Sequence, residues 1–359
     1  MKNSRKILIA PLDWGLGHAS RCVPVIQELM DLHVTPILLG DGDSLSLLKS
    51  EFPELESIEL ANFPITYPRN GHFAAYFARR FFKMRKQLKA ENQRLKSLVE
   101  ETKANAIISD NRYGLYHPQI PCVIITHQVS IRAGILSMPL TRLVHKYIKR
   151  FDHCWVPDVQ GALNLAGELS KTNKGDIPNL TYVGPLSRFH NLKRIDEQPL
   201  DFLCIISGPE PQRTEFENEV LRELAAHSGR HVVVRGSSSP IDSKIKFSAN
   251  TEIFDLLNHK ELSGKIAQAK YLITRSGYSS LMDLYALDRT AAISPTPGQF
   301  EQEYLAQYHK DSGRFVVFDQ GSLDLESIKK QLDQLGEPAS QKKSQNFKEI
   351  LADFVDALY

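Results

Sequence analysis

"PLDWGLGHASR", residues 11–21, follows directly on the apolar run Ile7-Leu8-Ile9-Ala10 and leads into apolar positions at Cys22, Val25, Ile26, Leu29 and Met30. A buried-strand pattern, a glycine-containing turn and an amphipathic helix pattern in that order open a βαβ unit. Gly15 and Gly17 allow backbone to approach a ligand closely, and the N–H groups at the start of the helix favour an anion. Taken alone, the turn has two readings. Gly-x-Gly-x-x-Ser, with Asp41 past the second strand as a ribose-binding acid, fits the dinucleotide turn of an NAD-dependent oxidoreductase, although serine stands where the third glycine is usual. His18 fits either a structural imidazole that fills a crevice or a group that meets a reacting hydroxyl.

Further along, short β-branched runs alternate with helical patterns. Strands are predicted at 7–10, 35–39, 106–109, 122–126 and 154–157, and then a second series begins at 202–206, 232–234, 271–274, 290–293 and 314–318. Helices are predicted around 214–226, 278–287, 300–309 and 324–335. Between the two series lies "VGPLSRFHNLKRIDEQPLD", rich in proline and polar residues, which reads as a linker. The organisation is therefore α/β with two Rossmann-like doubly wound domains: 1–185, a linker at 186–200, then 201–340. A C-terminal helix is expected at 341–359, packing back on the N-terminal domain. In such sheets ligands bind beyond the carboxyl ends of the strands.

The 359 residues are 42% hydrophobic and 24% charged, values of a globular chain of two domains. No segment approaches the ~18 unbroken apolar residues of a spanning helix, and the N-terminal apolar run is too short for an export signal. Four scattered cysteines, Cys22, Cys122, Cys154 and Cys204, indicate neither a zinc knuckle nor a disulfide framework, so a reducing cytoplasm is expected. A net charge of +2 argues against nucleic acid as a partner. Charge is nevertheless concentrated at residues 69–96, where Arg69, Arg79, Arg80, Lys83, Arg85, Lys86, Lys89, Arg94 and Lys96 interleave with aromatics. That segment reads either as a surface helix packed through its aromatics or as a face that docks on anionic lipid at the inner side of the cytoplasmic membrane.

Other strand ends carry chemistry of their own. "TRSGYSSLMDLYAL", residues 274–287, repeats the strand, small-residue turn and helix in the second half, with Arg275, Ser276 and Gly277 at a helix start suited to phosphate and Asp283 placed for ribose hydroxyls. "PTPGQFEQEYLA", residues 295–306, presents Glu301 and Gln302 for sugar hydroxyls, or simply an acidic first turn favoured by the helix dipole. Asp110-Asn111-Arg112 and Thr126-His127-Gln128 each follow a strand of the first half, and Arg112 suits an anionic acceptor.

This order of motifs resembles the GT-B fold glycosyltransferases of family 28, typified by the enzyme that adds N-acetylglucosamine to the peptidoglycan lipid intermediate. The resemblance implies two Rossmann-like domains facing a central cleft. It places Gly15, Gly17 and His18 against the acceptor and the sugar-nucleotide diphosphate, and it places acceptor contacts at His127 and Gln128, with Arg112 beside them. It puts Arg188 and His259 at the nucleotide, Asp283 at the ribose in place of a longer glutamate, and Glu301 and Gln302 at the sugar. The family's second glycine-rich loop falls on Ser207-Gly208-Pro209-Glu210-Pro211-Gln212-Arg213, where two prolines remove backbone donors and leave Ser207, Gly208 and Arg213 as the phosphate contacts.

The implied reaction is inverting transfer of a sugar from a UDP-sugar, by family default N-acetylglucosamine, to a hydroxyl of a glycan or lipid-linked acceptor of the cell envelope. No cofactor and no metal are expected, since no D-x-D motif ends a strand of the second half. Arg275, Ser276 and the adjoining backbone then stabilise the leaving diphosphate, and His18 acts as general base, with Asp13 or His127 in reserve. The alternatives are the NAD-dependent oxidoreductase, a sugar-nucleotide epimerase of the same fold, and a non-catalytic nucleotide-sugar binding subunit.

Overall fold

The computed structural model describes residues 5–13, 15–61, 73–132, 134–161, 164–189, 200–237, 248–336 and 346–358. The chain divides into two compact units, Met1–Arg188 with Lys343–Tyr359, and Phe189–Lys342.

The first unit holds strands β1 (Lys6–Pro11), β2 (Thr35–Gly40), β3 (Ser57–Glu59), β4 (Ala106–Asp110), β5 (Cys122–Ile125), β6 (His153–Val156) and β7 (Leu180–Tyr182). Its helices are α1 (Leu16–Asp31), α2 (Gly42–Glu51), α3 (Phe73–Thr102) and α4 (Ser137–Ile148). The strands form one parallel sheet in the order β3-β2-β1-β4-β5-β6-β7. Both faces are covered, which is why the strands read as unbroken apolar runs instead of alternating ones. Ile7 and Ile9 of β1 pack into one core with Cys22, Val25, Ile26 and Leu29 of α1. Leu8 and Ala10 pack into the opposite core with Leu95, Leu98 and Val99 of α3.

α3 spans part of the predicted basic segment. Lys83, Arg85, Lys86, Lys89, Arg94 and Lys96 are exposed along it. Arg69 lies outside the described residues.

The second unit holds β8 (Leu200–Ile205), α5 (Gln212–Ala225), β9 (His231–Val234), β10 (Thr251–Phe254), α6 (His259–Gln268), β11 (Ala269–Arg275), α7 (Tyr278–Ala286), β12 (Ala292–Ser294), α8 (Phe300–Asp311), β13 (Val316–Val317) and α9 (Leu325–Leu335). Its parallel sheet runs β10-β9-β8-β11-β12-β13, the same winding as the first. Phe202 and Cys204 of β8, Phe216 and Val220 of α5 and Ile328 and Leu332 of α9 share its core.

Among the described residues three strands escape the hydrophobic patterning: β3, β7 and β10. Each is an edge strand of three or four residues with no apolar residue fully buried. An edge strand is covered less completely, so its sequence carries little of the apolar run that reveals a central strand. At the predicted linker, Leu186 and Ser187 are buried and Leu186 packs into the first unit's core, while 190–199 lie outside the described residues.

The last helix, α10 (Asn346–Asp356), belongs to the first unit. Leu351, Phe354 and Val355 enter the core of α1, and Phe354 meets Trp155 of β6 edge-on with ring centroids 5.5 Å apart. Arg5 donates to the Val355 carbonyl at 2.6 Å, and Lys348 pairs with Glu28 at 2.7 Å. Phe354→Ala should therefore destabilise the first unit by about 3–5 kcal/mol, the usual cost of emptying a buried aromatic site. Urea unfolding followed by tryptophan fluorescence checks this; a change under about 1 kcal/mol would mean α10 is not part of that core.

Candidate active site

In a doubly wound sheet the loops leaving two neighbouring strands diverge where the winding reverses, and a crevice opens between them. In the first unit that point lies between β1 and β4, which pair in parallel while β2 continues to one side and β5 to the other. Gly15 caps α1 with φ +109°, and a Cβ built there would touch nothing within 4 Å. The left-handed dihedral, not lack of space, selects glycine at this turn. Gly17 lies inside the first turn of α1, directly before His18.

The β1/β4 crevice holds four interlocked polar side chains. Asp110, the last residue of β4, is fully buried, and both of its carboxylate oxygens accept from the Arg21 guanidinium. His18 Nδ1 lies 2.7 Å from Asp110 Oδ1 and 2.9 Å from Arg21 Nη2. Arg21 Nη1 lies 3.2 Å from Nδ1 of His127, which follows β5 and is buried. His18 and Arg21 stand three apart on α1 and so share a helix face.

Burial pushes the Asp110 carboxyl up, but the charge of Arg21, and after it His18, outweigh burial and hold it at about 2. For His18 burial dominates and lowers the pKa; Asp110 raises it and Arg21 lowers it further. The imidazole is therefore neutral near neutral pH, and 17% of the His18 side chain remains exposed. A neutral histidine backed by a carboxylate is the arrangement of a general base.

Several predicted residues have other occupations. Asp13 Oδ1 accepts from Ser44 N at 3.2 Å, at the start of α2. Asp41, the acid a dinucleotide reading needs, is the N-cap of α2 and accepts from Gly42 N at 2.8 Å. Asn111 takes a left-handed turn with φ +56°, and the chain then sends Arg112 into the fold instead of the crevice. Arg112 is buried, pairs with Glu91 of α3 at 2.5 Å and donates to the carbonyls of Leu60 and Ala61. Its cation holds the β3 exit to α3, which replaces the predicted contact with an anionic acceptor. Gln128 is half-buried beyond β5, with its N–H on Thr126 Oγ1 at 3.2 Å.

The second unit reverses its winding between β8 and β11. Ser207 and Gly208 follow β8, both exposed, and Gly208 has φ +116°. A Cβ on Gly208 would stand 3.3 Å from Thr296 Oγ1, a hydroxyl only 1% exposed with no hydrogen-bond partner among the described residues. Gln302 ties the neighbouring loops together. Its Oε1 accepts from Thr296 N at 2.9 Å, its carbonyl accepts from the Ser276 hydroxyl at 2.8 Å, and its Nε2 lies 3.9 Å from where a Cβ on Gly277 would stand. Gly208, Ser276, Gly277 and Gln302 are thus brought together, with Thr296 as a member that the sequence reading missed.

The arginines of this unit point elsewhere. Arg275 is fully buried, stacks on the Phe216 ring at 3.9 Å and donates to Pro295 O, Gln212 O and Gln320 Oε1. Burial lowers its pKa to about 10. Arg213 donates to Glu210, Glu217 and Thr214. Both cations hold α5 to its surroundings and are not laid open for a phosphate. His259 opens α6 directly after the Asn258 capping box; Asp283 in α7, Glu301 in α8 and Arg188 at the end of the first unit are half-buried.

Residues 211–358 match the family model of the glycosyltransferase family 28 C-terminal domain. Among solved structures, the glycosyltransferase SnogD from Streptomyces nogalater is similar with TM-score 0.66 at 14% identity, covering 99% of this chain and 100% of that one. CalG4, the calicheamicin glycosyltransferase, gives 0.64 at 13%, covering 99% and 98%. Acinetobacter baumannii MurG gives 0.58 at 11%, covering 98% and 99%. Among curated proteins none matches the sequence. The fold is that of the GT-B glycosyltransferases, and the C-terminal match together with these neighbours supports a glycosyltransferase.

The buried Asp110 makes acid stability a direct readout of this cluster. Its carboxyl is depressed on folding, so its contribution is complete above its unfolded pKa near 4 and is lost as pH falls toward about 2. Roughly 2 kcal/mol should disappear across that window. In Asp110→Asn the same window should be flatter by that amount in urea titrations at pH 2 to 5; an unchanged slope would show that Asp110 is not ionised against Arg21.

Proposed function

We propose that the protein is an inverting glycosyltransferase in which His18, held by Asp110, is the general base. The acceptor oxygen forms a bond to the anomeric carbon of the donor sugar, its proton passes to Nε2 of His18, and the bond from that carbon to the nucleoside diphosphate breaks. The observation that carries this reading is the His18–Asp110 pair at the β1/β4 crevice, in a chain whose C-terminal region matches a glycosyltransferase domain. MurG, SnogD and CalG4 are similar in fold.

The donor is a UDP-sugar, with N-acetylglucosamine as the first sugar to test. In the second unit its polar groups fall to Ser207, Gly208, Thr296, Ser276, Gly277 and Gln302, with His259 at the nucleotide, Asp283 at the ribose and Glu301 at the sugar. With Arg213 and Arg275 engaged inside the fold, the leaving diphosphate relies on backbone N–H groups at the start of α7, where Gly277 provides no side-chain cap. No metal is required, so EDTA should leave turnover unchanged. The acceptor is a glycan or lipid-linked hydroxyl of the cell envelope, met by His127 and Gln128. The exposed cations of α3 offer a face to anionic lipid, and among the described residues no helix is long and apolar enough to cross a membrane.

Two results are expected. A UDP-sugar present at 100 times its dissociation constant should add about 2.7 kcal/mol of stability, visible as a thermal shift. A flat response to every uridine sugar would remove the donor reading. His18→Ala should lower kcat by ~10² to 10⁴ while leaving that thermal shift in place, because the donor is assigned to the other unit. Equal turnover would take His18 out of the mechanism, and UDP release without any acceptor would favour hydrolysis or epimerisation.

A further inference from the structure

Arg21 stands inside the opening motif, yet it meets three chemically active groups at once. Its guanidinium binds both oxygens of Asp110, lies against Nδ1 of His18 and reaches Nδ1 of His127. An arginine side chain only donates hydrogen bonds, and an ionised carboxylate only accepts them. These two facts decide where the ring protons go. His127 Nδ1 faces a donor at 3.2 Å and must accept, so the proton of the neutral ring sits on Nε2. His18 Nδ1 lies 2.7 Å from Asp110 Oδ1 and 2.9 Å from Arg21 Nη2, but Nη2 donates to that same oxygen, so the ring nitrogen joins it as a second donor to the carboxylate and His18 Nε2 carries the lone pair.

We propose that Arg21 is a positioning residue that, with Asp110, locks His18 and His127 in opposite tautomers, leaving a proton acceptor at Nε2 of one ring and a proton donor at Nε2 of the other. The acceptor edge of His18, whose side chain is 17% exposed, suits the proton of the attacking hydroxyl. This use of His18 rests on the glycosyltransferase reading, whereas the tautomers themselves do not.

Arg21 also limits how basic His18 becomes. The groups that face His18 are Asp110 at the end of β4, Arg21 on α1 and His127 beyond β5; around Arg21 and Asp110 stand Cys22 of α1 and Tyr113 after β4. Asp110 alone would favour the imidazolium; the guanidinium bound to both its oxygens offsets that pull and keeps the ring neutral to lower pH.

The test is side-chain nitrogen NMR of the full chain, with long-range proton–nitrogen correlations assigned through His18→Gln and His127→Gln. Wild type should show His18 protonated on Nδ1 and His127 on Nε2. Either ring in the other tautomer overturns the proposal, whatever the protein catalyses. In Arg21→Met the His18 pKa should rise and His127 should populate both tautomers; no movement of either also overturns it. Where the methionine variant does not fold, Arg21→Lys keeps the buried positive charge but loses the fork, so His127 should populate both tautomers while the His18 pKa stays low; a His127 ring still held on Nε2 would overturn the proposal.

Where UDP-sugar turnover is measurable, the acidic limb of kcat/KM should move to higher pH in Arg21→Met, with kcat lowered and donor KM unchanged. Altered KM with an unmoved pH profile in that variant would make Arg21 a purely structural residue. If wild type has the expected tautomers but transfers no sugar, the glycosyltransferase reading fails and the tautomer lock stands.

Discussion

A carboxylate without access to water must be matched by charge and hydrogen bonds or it will not stay ionised. Asp110 meets that condition through Arg21, and the first unit is arranged around the match. The guanidinium has to reach the end of β4 from α1, so α1 must begin abruptly after β1, which the left-handed Gly15 permits. Once Arg21 is anchored, the residue three earlier on the same face is His18, and its ring is delivered to the carboxylate oxygen that Arg21 Nη2 also binds. The ion pair thus fixes the fold locally and sets the chemistry of the imidazole beside it.

The second unit uses buried charge differently. Glu217 of α5 lies between Arg213 and Arg235, and Glu219 receives the N–H groups of Gly321 and Leu323, so these acids and bases close on one another. What remains at the β8/β11 reversal is small and polar: Gly208, the Thr296 hydroxyl and the Gln302 amide that joins two loops. Such a surface suits an anion recognised by backbone and hydroxyl groups more than one held by side-chain cations.

Much of this was legible in the sequence. The buried central strands, the restart of the α/β pattern and helices α5, α7, α8 and α9 follow from apolar periodicity, because residues such as Ile7 to Ala10 are covered on both faces; α6 was not read from it. The arginines were harder to read. Arg112, Arg213 and Arg275 show their charge in the sequence but not their partners; Glu91 is 21 residues from Arg112, and the Phe216 ring under Arg275 is on another element. Arg21 and Asp110 were hidden for the same reason, since 89 residues separate two groups that bind each other through both carboxylate oxygens. Thr296 gave no signal at all, because a threonine between two prolines acquires meaning only when Gly208 is set against it.

In the proposed reaction a hydroxyl, relieved of its proton by His18, attacks the anomeric carbon in a single displacement from the side opposite the departing nucleotide. The configuration of the first-formed product tests this most directly. With an α-linked nucleotide sugar as donor, proton NMR of the product at early conversion should show only the β-glycoside. An α-glycoside would contradict the displacement and, with it, the role given to the Asp110-held histidine.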